Sequence, residues 1–208
     1  LVDTSPDLRE QLLAAGVAHL DAVIWTHDHA DHCHGIDDLR QVFHHRGAPV
    51  PGFARPNTAA ALAARFAYVF EGRGGYPATA TLNILDRPVT IGDIAVSWVD
   101  QPHGGTFATG LRFQDEAGRS IGYATDCNLL TDDMRTLYQA LDVWIVDALR
   151  AVPHPSHPTL DEALAWIAEL APARAVLTHM DQSMDYARLV ATLPEGVEPG
   201  FDGLELAL

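Results

Sequence analysis

An apolar run that stops in a cluster of imidazoles and carboxylates constrains this chain more than any other feature. Leu20-Asp21-Ala22-Val23-Ile24-Trp25 is short, β-branched and aromatic, with a buried strand expected over residues 22–25. It gives way to Thr26-His27-Asp28-His29-Ala30-Asp31-His32, three histidines and two aspartates in seven residues. The cluster therefore leaves the C-terminal end of a strand, where open α/β sheets place their sites. Residues two apart in an extended segment project to the same side, so His27 and His29 are placed to grip one ion together. Asp31 and His32 come after the bend and reach a second. Neutral imidazole and carboxylate are ligands for zinc, manganese or iron. The competing reading, a solvated polar loop rich in histidine, leaves the position at a strand end unexplained.

The whole chain sets broad bounds. Its 208 residues, 48% hydrophobic and 20% charged, are those of an ordinary globular protein, expected as one domain over residues 1–208. The first residues, Leu1-Val2-Asp3, read as the end of a strand already under way, so the natural N-terminus is expected to be incomplete. No apolar run approaches the roughly 20 residues that span a membrane, and no signal segment is visible. Cys33 and Cys127 are too few for a disulfide framework or a four-cysteine zinc site, which makes a reducing cytoplasm the expected compartment and buried filler their expected role. The net charge is −15, and the 13 basic residues are all arginines, dispersed along the chain. Such a surface repels polyanions, so long nucleic acid is a poor substrate.

Strand and helix patterns alternate throughout. Ser5-Pro6-Asp7 reads as an N-cap with proline at the first helical position, opening a helix through Leu8, Leu12 and Ala15. A helix start is expected over residues 35–41, with Asp37 and Asp38 decorating it, and His44-His45 in a solvated loop. A strand over residues 50–54 leads to a helix carrying Leu62, Phe66 and Val69. Residues 71–80 are rich in glycine and proline and read as a loop whose Tyr76, with nearby Phe70, is placed to line a substrate mouth or to anchor packing. Strands follow over residues 81–85, 94–99, 106–113 and 120–124, with Asp115-Glu116-Ala117-Gly118 as a hairpin turn. Beyond them come a helix over 132–140 and a strand over 143–146. Thr159-Leu160-Asp161-Glu162 is a capping box, and its helix buries Leu160, Leu164 and Ile167. A strand over 173–177, a helix over 185–192 and a closing strand over 203–206 complete the pattern. Hairpins mixed with βα units imply two sheets with helices outside them.

Three later positions repeat the grammar of the first motif, in which a strand ends and a ligand-type residue appears. His103 follows Trp98-Val99, Asp126 follows Ile121-Gly122-Tyr123-Ala124-Thr125, and His179 follows Ala175-Val176-Leu177-Thr178. Each is weak alone; together they supply what a two-metal site needs.

With these four ordered motifs the chain resembles the metallo-β-lactamase superfamily of metal-dependent hydrolases. The resemblance runs over essentially the whole chain and implies an α/β fold, a four-layer αβ/βα sandwich with a dinuclear site at one edge, here expected to lack its N-terminal strands. It implies that His27, His29 and His103 hold one divalent metal, that Asp31, His32 and His179 hold the other, and that Asp126 bridges them. Asp3 is similar to the family's early aspartate that orients a ligating histidine. Asp126 stands where penicillin-hydrolysing members of one class carry cysteine, and His29 where flavodiiron oxidoreductases carry a carboxylate. Within the resemblance, the first argues against a β-lactamase and the second favours hydrolysis over redox chemistry, while the ligands alone do not separate phosphorus from thioester chemistry. Asp3-Thr4-Ser5-Pro6-Asp7-Leu8-Arg9 and His154-Pro155-Ser156-His157-Pro158-Thr159-Leu160 resemble the phosphoribosyl 1,2-cyclic phosphate phosphodiesterase-like branch, in which a further histidine approaches the phosphate. His157 fits that role here, with His154 second; a proline-rich surface turn is the bland reading of both.

The resemblance thus implies a phosphodiesterase acting on a small phosphodiester, cyclic ones included, with zinc or manganese as cofactor. Two ions about 3.5–4 Å apart acidify a shared water, and the resulting hydroxide attacks phosphorus in line. His157 donates a proton or hydrogen bond near the leaving oxygen. Two other readings share the motifs: a thioester or lactone hydrolase on the same metal core, and a metal-binding carrier without catalysis. Oligomeric state is open, a homodimer included.

Overall fold

The computed structural model describes every residue, Leu1–Leu208, and the chain divides into two units, Leu1–Arg87 and Pro88–Leu208. In the first, α1 (Leu8–Ala14) precedes a parallel sheet of β1 (Val23–Trp25), β2 (Val50–Ala54) and β3 (Ala80–Ile84), in that order. Parallel strands need crossover connections. The chain supplies α2 (Ala30–Cys33), a 3-10 turn (Ile36–Asp38) and α3 (Leu39–Arg46) for the first, then α4 (Pro56–Arg65) and α5 (Ala67–Glu71) for the second. All three residues of β1 are buried, so the histidine run starts from a strand locked in its unit's core. Gly52 on β2 allows this, because a Cβ there would meet the Trp25 ring at 2.5 Å.

Local departures from the sequence reading have physical causes. Pro6 lies ahead of α1, and Asp7 occupies the N-cap without a side-chain cap. The preceding backbone is committed elsewhere: Thr4 N–H donates to His32 O at 2.8 Å and Gly35 N–H to Thr4 O at 2.9 Å. Gly35 is indispensable to that contact, since a Cβ would fall 1.8 Å from the Ser5 carbonyl oxygen. The helix expected through Leu62, Phe66 and Val69 is two helices, broken where Phe66 leaves helical geometry at φ −122°, ψ 35°. The break sets α5 so that Thr79 N–H reaches Val69 O at 2.8 Å. His44 and His45 sit in the last turn of α3 rather than in a loop.

The second unit is a seven-stranded sheet. Its strands are β4 (Val89–Ile91), β5 (Ile94–His103), β6 (Thr106–Gln114), β7 (Ser120–Ala124), β8 (Val143–Asp147), β9 (Arg174–Thr178) and β10 (Val197–Pro199), in the order β10-β9-β8-β7-β6-β5-β4. Pairing is antiparallel from β4 to β7 and parallel from β7 to β10. The helices are α6 (Asp132–Leu137), α7 (Leu160–Leu170) and α8 (Tyr186–Thr192). The capping box opens α7 as expected, with both reciprocal bonds present.

Strand β5 runs beyond the expected residue 99 to His103, passing through Pro102. Proline is tolerated because β4 pairs only with residues 94–96 of β5, so no ladder partner needs the missing N–H. α6 stops at Leu137, short of residue 140, where Ala140 takes a positive φ of 50°. The closing strand expected over residues 203–206 does not form. Gly200 N–H ends the ladder on Leu177 O at 2.8 Å, and Leu204 N–H turns back to Phe201 O at 3.0 Å. Each unit has its own hydrophobic cluster, around Trp25, Leu39 and Leu62 in the first and Tyr138, Trp144 and Leu177 in the second. No helix is long and apolar enough to cross a membrane.

Candidate metal centre

In the first unit one carboxylate organises the histidine run. Asp3 is buried and accepts from Thr26 N–H at 2.7 Å through Oδ1, and from Thr26 Oγ1 at 2.8 Å and His32 Nδ1 at 2.7 Å through Oδ2. Because the Thr26 hydroxyl donates to Asp3, it must accept from His27 Nδ1, 3.1 Å away. Both His27 and His32 are thereby held as the tautomer whose Nε2 carries a lone pair. Their rings lie 4.3 Å apart between centroids, and His27 and His29 lie 4.5 Å apart. His29 is the extended N-cap of α2, while Asp31 and His32 lie on that helix with His32 Nε2 and Asp31 Oδ2 3.4 Å apart.

The second unit gathers its groups around Asp126, which directly follows Thr125 after β7 and is 1% exposed. His103 Nε2 lies 3.4 Å from Asp126 Oδ2, and His179 Nε2 lies 3.4 Å from Oδ1. The two carboxylate oxygens thus face different imidazoles. His103 Nδ1 donates to the Ser156 carbonyl at 2.9 Å, which fixes its tautomer in the same sense as in the first unit. His157 is buried, stacked on His179 at 4.8 Å and 13°, with Nε2 4.0 Å from Asp126 Oδ2. Its Nδ1 contacts Asp147 Oδ2 at 2.7 Å, and Cys127 N–H reaches the same oxygen at 3.3 Å. Asp126, Asp147, His157 and His179 each offer a donor atom within 4.8 Å of the others. His154 stands beside them, its ring 5.1 Å from that of His157 and its Nδ1 3.2 Å from Ser156 Oγ.

These donor sets fit divalent metal. Zinc–nitrogen bonds of about 2.0–2.1 Å put neighbouring tetrahedral ligands roughly 3.3–3.4 Å apart. The His32–Asp31, His103–Asp126 and His179–Asp126 separations are all 3.4 Å. Burial raises the carboxyl pKa of both Asp3 and Asp147, opposed in each case by the bonds of the neighbouring histidine. A bound cation would favour the ionised forms. Desolvation, and then the neighbouring His157, lower the pKa of His154. Five non-glycine residues have positive φ, and three of them are Asp3 (57°), Asp126 (53°) and His179 (59°). Such strain persists where surrounding structure enforces it, and it clusters at functional sites.

Sequence reasoning missed Asp147, although the signal was available. β8 ends on it, and a ligand-type residue where a strand ends is the same pattern that marks Asp126 and His179; a strand drawn only to Val146 leaves Asp147 out. The expected substrate-mouth aromatics separate. Phe70 packs edge-on against Trp25 with centroids 5.9 Å apart. Tyr76 lines a cavity of about 450 Å³ together with Arg9, Arg40 and Tyr68. Both cysteines are buried and form no disulfide.

Comparison with known proteins places this geometry in a family. Residues 1–180 match the beta-lactamase superfamily domain. A crystal structure described as a new diphosphatase from the PhnP family superposes with a TM-score of 0.89 at 31% identity, covering 100% of this chain and 79% of that one. Zinc-bound PqqB from Methylobacterium extorquens shares the fold, with a TM-score of 0.80, 19% identity, and 100% and 82% of the two chains covered. A curated protein named octanoyltransferase from Porphyromonas gingivalis is 31% identical over 211 residues, 99% of this chain; the chain spans 41% of that relative's length. The chain belongs to the beta-lactamase superfamily, as a metallo-β-lactamase-fold hydrolase of the PhnP-like branch.

Proposed function

We propose that this protein is a dinuclear metal-dependent phosphodiesterase acting on a small phosphodiester. His27, His29, Asp31, His32, His103, Asp126 and His179 are the proposed ligands, with zinc or manganese as the metal, since every donor is nitrogen or oxygen. The observation that carries the reading is Asp126, whose two oxygens each stand 3.4 Å from a different imidazole Nε2, as a bridging carboxylate requires. Two bound divalent ions supply an acidified water and neutralise charge on phosphoryl oxygens.

The chain's own groups do the rest. Asp3 holds His27 and His32 as the tautomers with the lone pair on Nε2, directly for His32 and through Thr26 for His27. The Ser156 carbonyl does the same for His103. Asp147 fixes the His157 ring through Nδ1 and leaves Nε2 to carry a proton towards a leaving oxygen. Asp147 is then a positioning residue in the manner of a carboxylate behind a catalytic histidine. The likeness to the PhnP-family diphosphatase over the full chain supports phosphorus chemistry.

The test is metal content per chain with bis-(p-nitrophenyl) phosphate turnover on the same sample, run beside an acyl thioester. About two metals and diester turnover are expected. Thioester turnover without diester turnover would transfer the site to acyl chemistry, an arm that the name of the P. gingivalis relative keeps in the experiment. No metal after reconstitution would overturn the reading entirely.

A further inference from the structure

The histidine run is held from outside by a junction that none of the proposed ligand or proton-transfer roles uses. Arg65, the last residue of α4, donates through Nη1 to the carbonyl of Asp28 and through Nη2 to the Asp28 carboxylate. Asp28 is the residue between His27 and His29. The same carbonyl accepts from Cys33 Sγ at 3.4 Å. The next residue, Phe66, forms the break between α4 and α5 and sets its ring edge-on to His34, with centroids 5.8 Å apart. Arg65 and Phe66, adjacent at one helix break, thus touch the run between its first two histidines and just past its end.

We propose that Arg65 is a positioning residue for the metal centre, acting through Asp28. The guanidinium does two things that a single-point contact could not. Its fork fixes the carbonyl and the side chain of Asp28 together, which orients the Asp28–His29 peptide plane leading into His29 and restrains the residue that directly follows His27. It also engages the one carboxylate in the run to which no ligand role is assigned. A free Asp28 carboxylate, next to two imidazoles, would be a competing oxygen ligand and would admit a second coordination geometry. Arg65 excludes that geometry by holding the carboxylate.

The inference rests on His27 and His29 being metal ligands, and the experiment separates the two. Wild type, Arg65→Ala, Arg65→Lys and Asp28→Asn are titrated with zinc against a chromophoric chelator, and the cobalt-substituted proteins are compared by visible spectrum. Loss of this outer contact is expected to weaken zinc by about 10–100-fold in Arg65→Ala. Arg65→Lys, which keeps the charge but not the fork, should recover only part of it. The cobalt spectrum of Arg65→Ala should shift, and Asp28→Asn in the Arg65→Ala background should restore the wild-type band, because the competing carboxylate is gone. Wild-type zinc affinity and spectrum in a folded Arg65→Ala protein would refute the inference while leaving the metal reading standing. A lowered melting point with unchanged affinity would assign Arg65 to stability alone and refute it equally. Absence of zinc binding by the wild type would instead remove the metal reading on which it rests.

Discussion

Asp3→Asn is the most informative single substitution, because it changes one atom and leaves the backbone alone. Asparagine tolerates the left-handed conformation that Asp3 adopts, at φ 57°. Alanine would add backbone strain and blur the result. The carboxylate accepts three hydrogen bonds, from Thr26 N, Thr26 Oγ1 and His32 Nδ1, and donates none. An amide has one oxygen, so its NH2 must face either the Thr26 N–H or the His32 ring. In the first orientation two buried donors oppose each other, at about 1–3 kcal/mol. In the second, His32 Nδ1 must accept, the proton moves to Nε2, and that nitrogen is closed to metal. Thr26 must reorient as well, which loosens His27. Relief of a buried charge partly offsets these losses, so the stability change should fall near the low end of about 1–3 kcal/mol. Metal affinity should fall by about 10–100-fold. Urea unfolding of the chelated protein reads the first quantity and chelator competition the second. A folded Asn variant with wild-type affinity for both ions would show that Asp3 does not set the tautomers, and the hydrogen-bond argument would fail.

Further expectations test other parts of the molecule. Asp126→Ala should abolish turnover and lose metal; wild-type rate with full metal content would sink the bridging assignment. His157→Ala should slow turnover by about 10²–10⁴-fold with metal content intact, whereas loss of metal would make it a ligand. Thr159→Ala removes the capping box of α7 and should cost about 1 kcal/mol in thermal or urea unfolding; an unchanged midpoint would contradict the cap's contribution. Partial desolvation of a residue that is still 40% exposed, and then the hydrogen bond to Asp37 at 2.6 Å, raise the Tyr68 phenol to about 12. A raised acid contributes stability that is whole below the ordinary phenol value of about 10 and is lost as pH climbs through the raised one. Ultraviolet titration should show Tyr68 ionising late, and Tyr68→Phe should remove that step; a phenol titrating near pH 10 would contradict the placement.

Much of the candidate centre was legible because residues of ligand type at strand ends leave a mark in one dimension. His27, Asp126 and His179 each follow a run whose period and composition announce a strand, and the Thr159–Glu162 cap is written in adjacent residues. What escaped depended on contacts distant in sequence. Asp147 looks like the polar end of any strand until His157, ten residues later, is seen to point Nδ1 at it. Arg65 belongs to a helix end, and nothing local couples it to Asp28, 37 residues earlier. β4 is three residues long and exists only because β5 pairs with it. Gly203-Leu204-Glu205-Leu206 alternates like a strand, yet the ladder on β9 ends at Gly200 and the chain turns away. Alternation gives a face to bury; it does not supply a neighbour.

The left-handed backbone at Asp126 and His179 limits how this centre can be altered. Outside glycine, that conformation is tolerated best by aspartate, asparagine and histidine, and costs about 1–2 kcal/mol for most other residues. The residues that suit the backbone there are, apart from asparagine, the ones that bind hard or borderline metals. Chemistry and chain geometry therefore select the same narrow alphabet, and a cysteine or glutamate introduced at either position must first be paid for in conformation. His29 is different: its φ of −69° and ψ of 155° are open to nearly any residue. Divergence or redesign of metal preference should accordingly begin at the conformationally permissive position of the proposed ligand set, with the residues at 126 and 179 changing last.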